Sequence, residues 1–307
     1  MIRIAHVSDL HVLSPAGVEW RKILLNKRIT GYANLVLHRG RVFRREYLLR
    51  VLEDAVACAD HVVVTGDITN LALESEYHEA RALLDTVAGR AELTVAPGNH
   101  DIYLPSIGRE RRFPHYFSRF LVSDLPRFAV DLPAGPYPCV KLRGPLAIIA
   151  LSSAVPRPPF VAAGYVGKAQ LAALDKILVH PEVARRTPVI LIHHPPVDGR
   201  YRLAQLRDGL VDAAPLRRSL APLARGLVLC GHLHVRRRCA LRTATGALDV
   251  ICASGAALDH PDPSVRAGYN LYEIDDQGAI ITIEARVLDP SGTALRKTMI
   301  AERPDCA

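Results

Sequence analysis

The chain has 307 residues, 49% of them hydrophobic, and a mean hydropathy of +0.11, which together indicate a folded globular protein with a substantial core. No charged amino-terminal segment precedes a long apolar run, and no apolar stretch reaches about 18 residues, so the sequence argues against export and against a membrane span. Six widely spaced cysteines without a CxxC pair argue against a disulfide framework or a zinc ribbon, and they favour a cytoplasmic location.

The net charge of +8 would suit a nucleic acid or an anionic membrane as partner, but it is concentrated in one segment. Residues 21–50 carry nine Lys or Arg side chains against one acid, Glu46. Apolar side chains recur in this segment every three or four residues, at Leu25, Ile29, Tyr32 and Val36. Residues 20–45 could therefore lie on a membrane, pack as an ordinary helix, or join two copies of the chain as a homodimer. Nucleic acid is the least expected partner, because stacking aromatics are not interleaved with the charge.

Six short runs of β-branched residues, each bounded by turn-forming residues, predict buried strands: IRIAHVS, HVVVTG, LTVAPG, LAIIALSS, VILIHH and GLVLCGH. Helical patterns alternate with them, at about 44–58, 74–88, 167–179 and 214–224. This alternation predicts an α/β fold. From about residue 238 the pattern changes to short strands and turns, which predicts a mostly antiparallel second sheet. We expect a single domain over residues 1–307, with two sheets packed face to face and helices outside.

Two segments fit this alternation poorly. Residues 14–43 form an insertion after the first polar cluster, and residues 102–140 form a long stretch, rich in proline and glycine, that is predicted to be irregular. Loops of this length in a compact domain are usually functional or disordered. Both segments follow a polar cluster, so we expect both to lie near the functional site.

Polar clusters follow five of the predicted strands. They are Ser8-Asp9-Leu10-His11, Gly66-Asp67, Gly98-Asn99-His100-Asp101, His193-His194-Pro195-Pro196 and Gly231-His232-Leu233-His234. Their carboxylate, imidazole and amide groups suit Mn, Fe, Zn, Ni or Co ions. In an extended stretch residues i and i+2 point to the same side, so Asp9 with His11, and His232 with His234, would each converge on one point.

The ordered blocks D-x-H, GD, GNHD, H-x-P and GHxH resemble the calcineurin-like metallophosphoesterase family over nearly the whole chain. The resemblance implies a four-layer α/β/β/α sandwich of two mixed β-sheets flanked by helices, with two divalent or trivalent metal ions as cofactors. It also implies which residues bind each ion. One ion would be held by Asp9, His11, Asp67 and His234, and the other by Asp67, Asn99, His193 and His232, with Asp67 bridging both.

The chemistry of phosphodiester hydrolysis predicts a catalytic role for His100, the residue that follows Asn99. A phosphodiester is anionic and repels hydroxide, so hydrolysis benefits from two cations about 3.5–4 Å apart that bind its oxygens and deprotonate a bridging water. The departing alkoxide must be protonated, and His100, next to Asn99, is the predicted general acid. Asp101 or a backbone carbonyl would orient its imidazole, which makes Asp101 the second predicted catalytic residue. Gly98 is expected to free the turn.

Two neighbouring features leave alternatives open. His194 could form structural hydrogen bonds or touch the substrate. The basic run Arg236-Arg237-Arg238 follows GHLH directly, and a solvated strand edge is favoured for it over substrate binding.

The arrangement of GNHD, HHPP and GHLH looks most like the class III cyclic-nucleotide phosphodiesterase branch of the family, which implies a small phosphodiester as substrate. The basic insertion favours an alternative, a hydrolase on the inner face of the membrane that cleaves a lipid-linked phosphodiester or pyrophosphate of the UDP-diacylglucosamine type. A third hypothesis is a non-catalytic metal-binding scaffold. A scaffold would be expected to have lost some ligands or His100, and this chain retains them all.

Overall fold

The computed structural model describes residues 1–14, 42–197 and 202–302. Its first elements are β1 (Ile2–Val7), α1 (Arg45–Cys58), β2 (His61–Val64), α2 (Glu74–Ala88) and β3 (Glu92–Val95). Shorter elements follow: α3 (Pro105–Arg109), α4 (Arg112–Phe117), single 3₁₀ turns at Ser118–Phe120 and Pro126–Phe128, and a hairpin of β4 (Val130–Leu132) and β5 (Gly135–Tyr137).

The alternation resumes with β6 (Cys139–Arg143), β7 (Leu146–Ala150), α5 (Lys168–Leu178), α6 (Pro181–Ala184) and β8 (Thr187–Leu191). The remaining elements are α7 (Arg202–Asp208), α8 (Ala213–Leu220), β9 (Leu227–Cys230), β10 (Arg237–Arg242), β11 (Ala247–Cys252), β12 (Gly268–Ile274), β13 (Ile280–Leu288) and β14 (Leu295–Thr298). The four helices predicted from the sequence are therefore confirmed as α1, α2, α5 and α8, the last of which ends early.

The strands form two large sheets of six strands each, in the orders β14-β13-β12-β1-β2-β3 and β10-β11-β9-β8-β7-β6. In the first sheet β1, β2 and β3 run parallel, and in the second β7, β8, β9 and β11 do. The remaining strands β6, β10, β12, β13 and β14 pair antiparallel with their neighbours. Both sheets are therefore mixed, and the predicted fold class is confirmed.

Alternation along β7 shows how the layers pack. Leu146, Ile148 and Ala150 belong to a core that also contains residues of the first sheet, whereas Ala147 and Ile149 belong to a second core with residues of α5 and α8. All five side chains are fully buried. A strand covered on both faces has no polar face, which is why LAIIA reads as a continuous apolar run.

The prediction of a separate antiparallel sheet after about residue 238 is wrong. β10 and β11 extend the second sheet, whereas β12, β13 and β14 complete the first sheet on the side of β1 that β2 leaves open. β12 runs antiparallel to β1, with Asn270 opposite His6. The local pattern identifies strands, but it does not say which earlier strand each one will join, because neighbouring strands are not always consecutive in sequence.

Residues 102–140 are more ordered than the irregular stretch predicted from the sequence. Helix α4 buries Phe113 and Phe117 completely, and Tyr116 stacks on Tyr77 of α2 with 5.2 Å between ring centroids. The Tyr137 hydroxyl donates a hydrogen bond to the backbone carbonyl of Val95 at 3.1 Å. Aromatic packing therefore anchors this segment against α2 and β3. The proline and glycine content of the segment did not indicate this packing.

The basic insertion predicted at 14–43 lies almost entirely outside the described residues. At its carboxyl end, Arg44 pairs with Asp259 at 2.7 Å and Arg45 pairs with Glu79 at 2.8 Å. These two basic side chains therefore serve contacts within the fold. Over the ranges that the structure describes, none of the helices is long and apolar enough to cross a membrane.

Candidate metal centre

The polar clusters meet where β1, β2, β3, β8 and β9 end, and backbone hydrogen bonds tie their loops together. The Asp9 amide donates to the Gly66 carbonyl at 3.0 Å, which joins the loops after β1 and β2. The Gly231 amide donates to the His193 carbonyl at 3.0 Å, which joins the loops after β9 and β8. A contact between the sheets comes from the His232 amide, which donates to the Asp9 carboxylate at 3.1 Å.

One group of ligand atoms combines two carboxylates with two imidazoles. The donor atoms of this group lie within 4.8 Å of one another and come from Asp9, His11, Asp67 and His234. The His234 Nε2 atom is 3.2 Å from Asp9 Oδ1 and 3.3 Å from His11 Nε2. The structure thus brings together the four side chains predicted for one metal ion.

A second group lies on the other side of Asp67. The His193 Nε2 atom is 3.4 Å from Asp67 Oδ2 and 3.2 Å from Asn99 Oδ1. The His232 Nδ1 atom lies 3.1 Å from the same Asn99 oxygen. Asp67 Oδ2 is also 3.9 Å from His11 Nε2, so this carboxylate faces both groups, the position expected of a bridging ligand.

The imidazole tautomers fit a bound cation. His193 Nδ1–H donates to the Thr65 carbonyl at 2.7 Å, and His232 Nε2–H donates to the Asp208 carbonyl at 2.6 Å. When neutral, each ring turns the lone pair of its other nitrogen towards Asn99 Oδ1. Electron pairs that converge in this way repel one another unless a metal ion or a proton lies between them, and a carbonyl partner on the far nitrogen is the usual way to orient a metal-binding histidine.

Left-handed backbone conformations aim these ligands. Positive φ angles occur at Asp9 (50°), His11 (44°), Asp67 (50°), His232 (69°) and His234 (54°). Asp9 and His11 converge on one ligand group as predicted, although through a left-handed and not an extended backbone. The prediction that His232 and His234 converge on one point is wrong, because they belong to different groups. Left-handed conformations cost free energy for residues with a side chain and collect at functional sites.

Close approach between loops explains two of the glycines. A Cβ atom on Gly98 would lie 2.2 Å from Asp67 Oδ1, and one on Gly231 would lie 2.0 Å from Ser8 Oγ. Gly98 does not have a left-handed φ. The prediction that it frees the turn is therefore wrong: the residue is glycine because the loop after β3 presses directly against Asp67.

His100 lies at the partly exposed edge of the cluster. Its ring Nδ1–H donates to the Asn70 carbonyl, and its backbone amide donates to Asp67 Oδ1 at 2.8 Å. The ring packs edge-on against His11 with 4.9 Å between centroids. A backbone carbonyl therefore orients the imidazole, which decides between the two alternatives left open by the sequence.

Asp101, the second predicted catalytic residue, lies in the interior of the fold. Its fully buried carboxylate accepts hydrogen bonds from the Thr69 amide at 2.8 Å, the Thr69 hydroxyl at 3.0 Å and the Gly98 amide at 2.9 Å. Burial and the nearby carboxylate of Asp67 raise the pKa of Asp101 to about 7. Asp101 thus connects the loops after β2 and β3, and of the two partners left open for the His100 imidazole it is a backbone carbonyl, that of Asn70, that makes the contact.

The family model of the calcineurin-like phosphoesterases matches residues 2–236, the region that supplies every ligand described above. The chain belongs to this family. Membership in this family indicates a hydrolase of phosphoric esters. No curated protein is significantly similar to the sequence.

Solved structures share the phosphoesterase fold at low identity. A purple acid phosphatase from yellow lupin (Lupinus luteus) seeds is 11% identical with a TM-score of 0.59, and the match covers 98% of this chain and 54% of that one. The chain thus spans about half the length of the lupin enzyme. A dimetal phosphatase from Danio rerio is 13% identical with a TM-score of 0.55, and the match covers 97% of this chain and 99% of that one. At these identities the similarity shows the fold alone.

The charges of the phosphoesterase site balance one another in the absence of metal. Burial would raise the pKa of Asp67, but the His193, His100 and His11 imidazoles hold it well below the usual range. Burial would likewise lower the pKa of His193, but the Asp67 and Asp9 carboxylates raise it to about 9. Burial and the neighbouring His193 lower the pKa of His232 to about 4. The cluster therefore keeps its carboxylates ionised and holds a proton on His193.

His194, whose role the sequence left open, makes structural hydrogen bonds. Its Nε2–H donates to the Ala162 carbonyl at 2.8 Å, and its Nδ1 accepts from the Ser153 hydroxyl at 2.8 Å. Both ring nitrogens are thereby used, and the ring is fully buried. His194 is close enough to His193 and His232 to be grouped with them as a candidate ligand set, but its hydrogen bonds direct both nitrogens elsewhere.

The favoured interpretation of the run Arg236-Arg237-Arg238 as a solvated strand edge is wrong. Arg236 and Arg237 are only 3% and 5% exposed. Arg236 donates to the carbonyls of Pro263 and Arg266 at 2.8 and 2.7 Å. Burial lowers the pKa of Arg236 to about 9. The first two arginines therefore belong to the interior beside the site.

Two aromatic neighbours of the site were not predicted. Phe43 packs edge-on against His11 with 4.9 Å between centroids, and Tyr103 stacks on His100 at 5.4 Å. Both are nearly buried, at 8% and 6% exposure. Tyr103 follows Asp101 by two positions and could have been suspected, whereas nothing in the sequence links Phe43 to His11.

Proposed function

We propose that this phosphoesterase hydrolyses phosphodiesters with two metal ions and uses His100 as general acid. The observation that carries the proposal is the convergence of seven oxygen and nitrogen ligands from five loops, with the oriented imidazole of His100 at their open edge. Buried, charge-balanced groups of this kind are typical of functional sites.

In this proposal the two ligand groups hold one ion each, and Asp67 contributes to both. The donor set is composed of imidazole, carboxylate and amide oxygen, which suits Mn, Fe, Zn, Ni or Co. When bound, the ions would supply positive charge to the phosphate oxygens and lower the pKa of a water molecule. The carbonyls of Thr65 and Asp208 keep the rings of His193 and His232 in the orientation needed for binding.

His100 would protonate the departing alkoxide. Its Nδ1–H is engaged by the Asn70 carbonyl, so the transferable proton of the imidazolium is the one on Nε2. Tyr103 on one side and His11 on the other limit rotation of the ring. General acid assistance of this kind contributes a factor of about 10² to 10⁴ in rate.

The class of substrate is also part of the proposal. The GNHD, HHPP and GHLH blocks support a small phosphodiester such as a cyclic nucleotide, acted on in the cytoplasm. A lipid-linked phosphodiester or pyrophosphate is the second candidate, and it is favoured by exposed apolar side chains that border the site, among them Phe160 and Leu203.

The role of His100 can be tested with two leaving groups of different basicity. The His100→Ala variant should lose about 10² to 10⁴ in kcat with an alkyl leaving group, as in cyclic AMP, because an alkoxide needs a proton. It should lose far less with bis(4-nitrophenyl) phosphate, whose nitrophenolate leaves without one. Exposed His115 supplies a control, since His115→Ala should change neither rate. Equal losses with both substrates would contradict general acid catalysis by His100.

The role of the metal ions is tested by the Asp67→Ala variant, which removes a ligand from both groups. We expect it to lose metal and all hydrolysis of bis(4-nitrophenyl) phosphate. A metal-loaded wild-type protein that hydrolyses no phosphoester would overturn the enzyme proposal and leave the scaffold hypothesis standing.

A further inference from the structure

A surface turn beside the site holds an aromatic side chain in an unfavourable conformation. In the turn Pro158–Val161 the Val161 amide donates to the Pro158 carbonyl at 3.2 Å, and Phe160 has a φ of 64°. This third position of the turn normally holds glycine when φ is positive. Phe160 is nevertheless 79% exposed, so packing within the described fold does not offset the strain. Backbone strain without an internal benefit points to a use outside the fold.

Helix α7, which lies beside this turn, exposes large apolar side chains to solvent. Leu203 and Leu206, one helical turn apart, are 74% and 67% exposed, while the small Ala204 between them is buried. An ordinary surface helix places its large apolar side chains against the core. Val211, just after the helix, is also 61% exposed.

Backbone hydrogen bonds join these two segments into one surface. The Ala162 amide donates to the Arg207 carbonyl at 2.9 Å, and the Gly164 amide donates to the Gly209 carbonyl at 2.9 Å. The Val211 amide then donates to the Gly164 carbonyl at 3.0 Å. We name the surface the apolar rim and define it by its exposed side chains, Phe160, Leu203, Leu206 and Val211.

The apolar rim borders the second ligand group directly. The carbonyl of Ala162 accepts the hydrogen bond of His194, and the carbonyl of Asp208 accepts that of His232. The rings of His194 and His232 lie 4.4 Å apart between these two carbonyls. Whatever binds the rim is therefore held next to the metal centre.

The charge around the apolar rim indicates what kind of partner binds there. Residues 152–174 and 203–212 contain three basic residues, Arg157, Lys168 and Arg207, and two acidic ones, Asp208 and Asp212, which are only 17% and 7% exposed. The Arg207 side chain pairs with Asp208 at 3.2 Å and is still 62% exposed, and Lys168 is exposed as well. A second copy of the chain docked symmetrically on this surface would bring like charges together. Exposed apolar side chains among basic ones instead complement the surface of an anionic bilayer.

We propose that the apolar rim docks this protein on anionic lipid bilayers. Phe160, Leu203, Leu206 and Val211 enter the boundary between headgroups and acyl chains, and Arg207 and Lys168 face the lipid phosphates. One consequence rests on the proposed function: the phosphoester that is cleaved is an amphiphile presented at the lipid surface.

The experiment is sedimentation with vesicles made of equal parts of phosphatidylglycerol and phosphatidylcholine, and with vesicles of phosphatidylcholine alone. The wild-type protein should bind the anionic vesicles much more tightly. The Leu203→Ser/Leu206→Ser variant should bind them at least about tenfold more weakly. The Val122→Ser/Met299→Ser variant should bind like wild type, because it removes two similarly exposed apolar side chains, 61% and 91%, outside the rim.

A Phe160→Gly variant separates docking from folding. Glycine adopts the positive φ freely, so this variant should unfold at a temperature no lower than wild type while losing vesicle binding. Wild-type protein that does not bind, or rim variants that bind as well as wild type, would overturn the proposal. Dimers that dissociate in the rim variants would also overturn it, by making the rim an interface between copies.

Failure of the docking proposal is distinguishable from failure of the proposed function. Vesicle binding requires no turnover, and bis(4-nitrophenyl) phosphate requires no vesicle. A protein that hydrolyses the soluble diester but does not bind vesicles loses only the docking proposal. One that binds vesicles but hydrolyses no phosphoester loses only the enzyme proposal.

Discussion

At the scale of single residues, the site combines strained backbone with fixed side-chain orientation. Asp9, Asp67 and His232 adopt left-handed φ angles that glycine or asparagine would adopt more easily, yet each presents a ligand. Carbonyls fix the tautomers of His193 and His232. Nearby carboxylates, acting against burial, raise the pKa of His193, whereas burial and His193 lower the pKa of His232. The environments of single residues at this site lead to two measurable predictions, one about protonation and one about stability.

Metal binding should release a proton from His193. The Asp67 and Asp9 carboxylates, acting against burial, raise the pKa of His193 to about 9, so at pH 7 the metal-free ring is protonated and must become neutral to bind a metal. Apparent metal affinity should therefore rise with pH between about 7 and 9. Calorimetry at pH 7 in buffers of different ionisation enthalpy should detect about one released proton. The His193→Ala protein serves as control, and equal heats in all buffers for wild type would contradict the assignment.

Replacing Asp101 with asparagine should destabilise the fold. The amide nitrogen of Asn would face one of the donors that now bind the carboxylate, either the Thr69 amide or the Gly98 amide. A buried donor left without an acceptor costs about 1–3 kcal/mol. Urea unfolding of the metal-free protein measures this loss. The control is Asp131→Asn, which breaks an exposed ion pair with Arg111 and should cost less than about 1 kcal/mol. A similar loss in both variants would be evidence that Asp101 does not hold the loops after β2 and β3 together.

At the scale of elements, the ligand loops are held by contact with one another more than by the strands that they follow. The loop after β3 presses on Asp67, and the loop after β9 presses on Ser8. Such contacts demand glycine for steric reasons. They also mean that a change in one loop is transmitted to a ligand in another.

The Gly98→Ala substitution should disrupt metal binding. Its Cβ atom would lie 2.2 Å from Asp67 Oδ1, so the loops after β2 and β3 must separate. We expect fewer than two bound ions per chain, measured by elemental analysis, and a lower unfolding temperature. Gly89→Ala at the end of α2 is the matched control: its nearest contact would be 3.5 Å and its φ is −77°, which alanine adopts readily. Full metal content in the Gly98→Ala protein would show that the loops can move apart without cost.

At the scale of the whole molecule, the site lies where the two sheets meet. The loops after β1, β2 and β3 come from the first sheet, and those after β8 and β9 come from the second. Asp67 of the first sheet faces His193 of the second across 3.4 Å. Bound metal would therefore connect the two halves of the sandwich.

Loading with metal should stabilise the whole fold. A ligand that binds only the native state adds about 2.7 kcal/mol at a free concentration one hundred times its Kd. Thermal unfolding with and without a chelator should show a higher midpoint for the loaded protein. The Asp67→Ala protein should show no such difference. An identical midpoint for wild type in both conditions would mean that the cluster does not bind the metal tested.

The sequence by itself predicted most strands of the two large sheets, the main helices and the polar clusters of the candidate site. Strand and helix patterns depend on neighbouring residues, and the polar clusters follow strands directly, so local order indicates where the clusters lie. The resemblance to the family then implies that Asp9, Asn99 and His232 are ligands. The sequence also indicated that His100 would need a partner for its imidazole.

Only the tertiary structure decided how these parts combine. It placed β12 to β14 beside β1, chose the Asn70 carbonyl over Asp101 as the partner of His100, and buried Arg236, which the sequence indicated as solvated. It also assembled the apolar rim from two segments about forty residues apart. The physical reason is common to all of these: each depends on contacts between residues distant in sequence, and local periodicity carries no information about such contacts.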